Sequence, residues 1–321
     1  MQKEKNLFNG DKFMSYELSK IPDPVIKIIG EEKLKENMKS MIKKISEQID
    51  NDISANKYME YSDHHNKYLE DYRMHLTHFG ESHSVVSRIS FREDENGKKP
   101  LINIIMKNFD FLNFMDTDEF LKSIYGKYKN FNPVFLRFFE FSEKDADNKF
   151  ITEDNFVIGH VKSIQKNRKP LKYNEVSLEK MNDLSFYDKY FEEHILAKTE
   201  ITMFENERTE TKEDFEFYQK NGVVYKVITD NKYAGIYTII KSQMNYLSGY
   251  HVIEQFLFKE FRGRNLAAAV QRKAIDSIDA EEDEFIFGTI YPHNKTSLKT
   301  ALKCGRYVAG SYFTINFNSV L

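Results

Sequence analysis

The sequence predicts an α/β protein of the α+β kind, built as two domains. Three observations carry this. The chain has 321 residues, long for a single hydrophobic core. Apolar runs of strand length alternate with amphipathic stretches of helical period. A basic, proline-bearing join, "KNRKPLKY" from Lys166 to Tyr173, separates two such series. The expected division is an N-terminal arm over 1–30, an α/β domain over 31–170 and a mixed-sheet domain over 171–321.

Residues 1–30 are mixed and carry Pro22 and Pro24, which reads as an arm. From Glu31 to about Asn51, Leu34, Met38, Met41, Ile42 and Ile45 recur at helical spacing. "KYMEYSDHHNKYLEDYRMHLTHF" adds further helix. "SVVSRISFREDENGKKPLINIIM" reads as two strands around a turn at Glu95–Gly97. "DEFLKSIYGKYK" is a helix, while "PVFLRFFEF" and "NFVIGHVKSI" are strands. Beyond the join, "NEVSLEKM" is a short strand and "LSFYDKYFEEHIL" a helix. "KEDFEFYQKNG" is a helix closed by Gly222 as a left-handed cap. "VVYKVITDNKYAGIYTII" is a hairpin turning at Asp230–Asn231, and "GYHVIEQFLF" is a strand. The helix "RNLAAAVQRKAIDSI" follows, then strand "EFIFGTIY", helix "KTSLKTALKCG" and a last strand "YVAGSYFTINF". The second half thus runs β-α-α-β-β-β-α-β-α-β.

Composition excludes several classes. Hydrophobic residues make up 40% and aromatics 14%, enough for a packed core beside 30% charged residues. Forty-seven basic against 50 acidic residues give a net charge of −3, with none of the basic excess of a nucleic-acid binder. No apolar run is long enough to cross a bilayer, and "MQKEKNLFNGDKFMS" lacks a secretory apolar core. A single cysteine, Cys304, rules out an internal disulfide and suits a reducing compartment. The expectation is a soluble cytoplasmic protein that binds neither nucleic acid nor membrane, of undetermined oligomeric state. Five of the nine histidines cluster at His64, His65, His75, His78 and His83. His75 and His78 could share a helix face and hold a metal, but no cysteine or carboxylate stands at matching spacing, and no metal is expected.

The joint "FLFKEFRGRNLAAAVQRKAID", Phe256 to Asp276, carries the chemistry. A helix N-terminus offers unpaired N–H groups and the positive end of its dipole to phosphate. Gly263 permits close approach or positive φ, and Arg262 and Arg264 add charge-assisted donors. Small Ala267, Ala268 and Ala269 let the first turns lie close to a sheet or ligand. An ordinary surface turn with solvated arginines is an equal reading of this stretch alone.

On this strand-loop-helix, preceded by β-α-α-β-β, the second half resembles the GNAT superfamily of acyl-CoA-dependent N-acetyltransferases. The family's phosphate loop, Arg/Gln-x-x-Gly-x-Gly/Ala, maps onto Arg262, Gly263, Arg264, Asn265, Leu266 and Ala267. The central glycine is Asn265 here, a residue that tolerates the left-handed region better than other non-glycines. A second motif, Asn-x-x-Ser/Ala followed by Gly, maps onto Asn294, Ser297 and Gly305. The resemblance covers about Tyr173 to Leu321. Many relatives carry two tandem copies, one degenerate, and the first half is open to that reading.

The resemblance implies acetyl-CoA as co-substrate, without a metal. Its pantetheine would pair along Phe256, Leu257 and Phe258, its diphosphate would sit over Arg262 to Ala267, and Asn294 would approach the arm. The Leu257 N–H would donate to the thioester oxygen, and Glu254, set among apolar residues, is the candidate base. An ion-paired structural role for Glu254 is the competing reading. The family's usual acid, a tyrosine one turn before the helix-ending glycine, falls on Ala301; Tyr291, Tyr307 and Tyr312 do not match. Cys304 reads as a packed residue. The expected activity is transfer of an acetyl or other short acyl group from acyl-CoA to a small-molecule or peptide amine. The alternatives are a non-catalytic acyl-CoA-binding regulatory module, or an N-acyltransferase for longer chains.

Overall fold

The computed structural model describes residues 8–62, 68–94, 97–113, 117–141, 150–201, 208–244 and 246–317. Cα proximity divides the chain into two units. One takes residues 1–154 and 310–321, the other 155–309. This division falls at 154/155, whereas the basic join lies at 166–173.

The first unit begins with four helices: α1 (Gly10–Lys20), α2 (Asp23–Ile29), α3 (Glu31–Gln48) and α4 (Asp52–Tyr61). The stretch read as an arm is helical, and Phe13 and Val25 are buried. Asn9 and Asn51 start their helices by accepting from the amides of Lys12 and of Ile53 and Ser54. On α3, Leu34, Met38 and Ile45 are buried, as their spacing requires. The helical reading of Lys57–Phe79 holds to Tyr61 and as a 3₁₀ turn over Leu69–Tyr72; residues 63–67 lie outside the described set, and the reading fails beyond Arg73. His75–Phe79 is strand β1, paired antiparallel with β2 (His83–Asp94). A neighbouring strand's open ladder decides this against local preference. His75 and His78, three apart on a strand, point to opposite faces, so they share no helix face. His64 and His65 lie outside the described residues.

β3 (Gly97–Lys107) continues the hairpin, α5 (Thr117–Tyr128) follows, and β4 (Phe135–Glu140) returns parallel to β3 over Leu101–Asn103 and Phe135–Arg137. Residues 311–316 of the last strand, β11 (Tyr307–Asn316), pair antiparallel with β4. The sheet order is β1-β2-β3-β4-β11. "FDFLNF" near Asp110 contributes core, with Phe109 and Phe111 buried. Of the Glu95–Gly97 turn, residues 95 and 96 lie outside the described set; Gly97 has φ 102°.

In the second unit, β5 (Ile151–His160) ends earlier than "NFVIGHVKSI" suggests. Val161–Lys166 is helix α6, whose first turn is capped by the His160 ring. Then come β6 (Ser177–Met181), α7 (Tyr187–Glu200), α8 (Lys212–Asn221), β7 (Gly222–Thr229), β8 (Lys232–Met244), β9 (Leu247–Leu257), α9 (Ala267–Asp276), β10 (Phe285–Ile290) and α10 (Lys295–Lys303). The sheet order is β5-β10-β9-β8-β7-β6. Asp230 and Asn231 both have positive φ, 51° and 57°, the two-residue turn that matches strand twist. Gly222 is not a left-handed cap. Its φ is −171°, and glycine is needed because an added Cβ would meet the Ile239 carbonyl oxygen at 2.1 Å. Phe215 and Tyr190 pack among the core residues of the sheet together with Ala269, Val270, Ala274 and Ile275 of α9.

All pairs in this unit are antiparallel except β9 with β10, which run parallel over Gly249–His251 and Phe285–Phe287. Gly249 makes that contact possible: an added Cβ would lie 1.9 Å from the Phe285 carbonyl oxygen, at φ 155°. Gly249→Ala is therefore expected to cost about 2–4 kcal/mol in urea unfolding, through backbone displacement and strain. Unchanged stability would mean that the two strands do not meet this closely.

Candidate functional site

β9 and β10 share three residue pairs and then part. β10 continues against β5 to Ile290, and β9 continues against β8 to Leu257. The register with β8 slips between Thr238 and Ile239, because β9 carries an extra residue, Ile253, between Val252 and Glu254. Such a bulge bends the strand. Beyond His251 the edge of β9 that faces away from β8 has no recorded partner strand.

Which backbone groups line that edge follows from alternation. The Phe258 amide donates to the Ala234 carbonyl, 2.9 Å. In an antiparallel ladder the neighbouring residue then points its N–H and C=O the other way. Leu257 therefore faces the opening, as does Gln255. The Leu257 carbonyl accepts from Arg262 Nε at 2.7 Å.

The loop has the backbone that its residues suggest. Gly263 and Asn265 both take positive φ, 73° and 58°, so Asn265 occupies the left-handed position where the motif has glycine. Leu266 is the first residue before α9, and Ala269 is buried against the sheet. The arginines have local partners. Arg264 Nη2 lies 2.6 Å from Asp230 Oδ2, which holds the Asp230 carboxyl below its usual range. The Arg262 guanidinium stacks 4.9 Å from the Phe256 ring centroid, and its Nη2 is buried without a hydrogen-bond partner. Burial lowers its pKa, while Glu193 and Glu200 oppose that. Asn294 caps α10, accepting from the Ser297 amide at 3.0 Å.

Glu254 and Phe256 project to the α7 face. Tyr190, fully buried on α7, donates to Glu254 Oε2 at 3.4 Å, and burial followed by the Glu254 charge raises the Tyr190 pKa. This pairing, 64 residues apart in sequence, has no signal in the chain. Gln255 projects to the α9 face, where its amide donates to the Ala267 carbonyl and accepts from Gln271. Ala301, the usual tyrosine position, is fully buried. Cys304 is buried and its thiol is pushed up to about 11 by burial. Among the described residues no group of three or more His, Cys, Asp or Glu could hold a metal, and no helix is long and apolar enough to cross a membrane.

One parallel pair in an otherwise antiparallel sheet, a helix joining its strands and a left-handed loop at that helix's start reproduce the arrangement implied by the sequence resemblance. The second unit has the GNAT fold. No family model and no curated protein matches the chain. Solved structures with similar folds include a tandem GNAT protein from the clavulanic acid biosynthesis pathway, 10% identical over 75% of this chain and 81% of that one, at a TM-score of 0.46. A functionally unknown conserved protein from Staphylococcus epidermidis is 12% identical over 80% and 98%, at 0.46. A GCN5-related N-acetyltransferase from Kribbella flavida is 7% identical over 83% and 93%, at 0.45.

Two rings of this second unit set an acid limit on its stability. Burial lowers His251 and His194 to about 4 each. The unfolded rings titrate near 6.5, so between those values the unfolded chain binds more protons. The stability contribution is complete above pH 6.5 and lost as pH falls toward 4, up to roughly 3 kcal/mol for fully buried His194. Urea midpoints at pH 7 and pH 5 should differ less in His194→Gln than in the parent. Equal differences would show that His194 titrates alike in both states.

Proposed function

We propose that residues 171–321 bind acyl-CoA and transfer a short acyl group to an amine. The observation that carries this reading is the free edge of β9: after three parallel pairs with β10, the backbone of Gln255 and Leu257 faces an opening that an extended amide-bearing chain can pair with. The pantetheine arm of CoA is such a chain. At one end of the edge lie the N-terminus of α9 and the left-handed Gly263 and Asn265, a place for the diphosphate. Arg262, already stacked on Phe256, and Arg264, which leaves Asp230, supply the charge-assisted donors. Leu266 and Ala267 continue the cradle, and Asn294 with Ser297 lines its β10 side.

Bound CoA supplies an activated acyl thioester at the far end of that edge. The chain's own residues do the rest. The Leu257 N–H, at the loop end of the edge, lies too far from the thioester to reach its oxygen and pairs with the pantetheine arm instead. Glu254, on the α7 face and oriented by Tyr190, takes the proton of the incoming ammonium. The amine acceptor, a small molecule or a peptide end, enters from that face. A non-catalytic acyl-CoA-binding module is the second reading. It is favoured by the local partners of both arginines and by Ala301 in place of a tyrosine acid. The first unit shows no comparable loop among its described residues.

Two measurements separate these readings. Arg262→Ala with Arg264→Ala should weaken CoA binding in calorimetry by about 2–4 kcal/mol, the loss of two charge-assisted contacts. Unchanged affinity in a folded variant would remove the diphosphate from this loop. Glu254→Gln should retain CoA affinity but lower turnover by roughly 10²–10⁴-fold. That loss should narrow at high pH, where more of the amine is neutral. Full activity would return Glu254 to a structural role, and a parent that acylates none of a panel of amines would favour the binding module.

A further inference from the structure

The root of the opening holds a buried charge that has no counter-ion among the described residues. Arg306, at the turn before β11, is 4% exposed. Its Nη2 donates to Gln271 Oε1 at 3.1 Å, and Nε is buried without a partner. Burial lowers its pKa, and the groups opposing that are Tyr237 and Cys304, neither of them a carboxylate. The neighbouring buried arginine, Arg272, does have an acid, Asp276; Arg88 of the first unit has none among the described residues but lies over the Tyr58 ring. A buried cation without an acid is rare and costly, which points to a partner that comes and goes.

The location says what that partner is. Gly288 is the first residue of β10 beyond the parallel pairs, and Val252 the first of β9. A Cβ on Gly288 would lie 3.3 Å from the Val252 carbonyl oxygen and 3.8 Å from Arg306 Nη1. The guanidinium thus sits at the vertex, on the α9 face that it shares with Gln271 and Gln255. Tyr237, opposite Gln255 on β8, adds a buried hydroxyl without a partner. From Leu257 back to Val252 is roughly 16 Å of strand at about 3.3 Å per residue, comparable to a pantetheine arm. With the diphosphate at the loop, the sulfur end arrives at the vertex.

We propose that Arg306 holds the sulfur of coenzyme A as a thiolate, taking the place of the tyrosine acid that is Ala301 here. This rests on the acyl-CoA reading above. In the transfer, the acceptor first loses its ammonium proton to solvent through Glu254; the neutral nitrogen then bonds to the acyl carbon and gives its second proton to the same carboxylate. The carbon–sulfur bond breaks and its electron pair leaves on sulfur. The thioester is neutral and the leaving thiolate is anionic, so the guanidinium stabilises the product side more than the ground state. Glu254 on the α7 face and Arg306 on the α9 face put proton acceptor and leaving group on opposite sides of the sheet.

The test is the titration of the bound thiol in the full-length chain. Ultraviolet thiolate absorbance is followed against pH for protein saturated with CoA, minus protein saturated with desulfo-CoA to cancel its tyrosines and Cys304. A free thiol titrates near about 8.5; bound CoA should titrate at least about one unit lower. Arg306→Met should restore the free value and lower turnover by roughly 10²-fold, while Arg306→Lys should keep part of both. Removing a buried charge that has no acid should not lower thermal stability. A bound thiol that titrates like free CoA in the parent overturns this proposal and leaves the CoA reading standing. Absence of CoA binding overturns both. A large stability loss in Arg306→Met, with its bound thiol still shifted, assigns Arg306 to the fold alone.

Discussion

Three parallel residue pairs hold β9 to β10, and what happens beyond them depends on that contact being so short. Gly249 lets β9 approach the Phe285 backbone closely. Just beyond it Ile253 bulges, the strands part, and the outward amides of Gln255 and Leu257 face no partner strand among the described residues. A longer parallel ladder would have satisfied those groups internally and left no slot for an extended ligand. Backbone hydrogen-bond accounting is strict enough that an open inner edge is itself a statement about a partner.

The first unit shows the opposite treatment of the same geometry. β3 and β4 also run parallel for three pairs, with a helix between them. At their ends Lys107 and Glu140 form a buried pair at 2.9 Å. Tyr16 of α1 adds its hydroxyl to Glu140 and its ring under the Lys107 ammonium, and the Phe111 amide donates to the same carboxylate. Burial pushes the Glu140 carboxyl up and Lys107 pulls it back. In the first unit charge meets charge between the strand ends. In the second, Arg306 stands at the equivalent vertex without an acid. One arrangement is complete by itself, and the other has no acid among the described residues.

Much of the second unit was legible because its signals are local. Asp230–Asn231 can make a tight hairpin, the Arg-Gly-Arg-Asn loop needs left-handed residues, and Asn265 takes that conformation at φ 58°. The helix after it begins at Ala267, later than the Arg264 start expected, because the left-handed Asn265 cannot belong to it. What the chain concealed is long-range. His75–Phe79 has a helix-compatible pattern and becomes a strand because β2 offers it a ladder. Gly222 looks like a cap, yet it is small because β8 crowds it. Neither Tyr190 against Glu254 nor Gln271 against Arg306 leaves a trace in spacing, since side chains 64 and 35 residues apart meet only through the fold. The sequence also reads Arg262 and Arg264 as bare donors, whereas the structure gives each a local contact that a ligand must replace.

Hydrogen exchange at β9 tests the central claim, that the open edge of this strand is where coenzyme A docks. The Gln255 and Leu257 amides point into the opening, and the Phe256 and Phe258 amides point to β8. Adding saturating CoA to the full chain should slow exchange at the outward pair, together with the amides of Gly263 to Ala267, and leave the inward pair nearly as protected as before. Slowing confined to other elements, or none at all at CoA concentrations that calorimetry shows to saturate, would contradict the account.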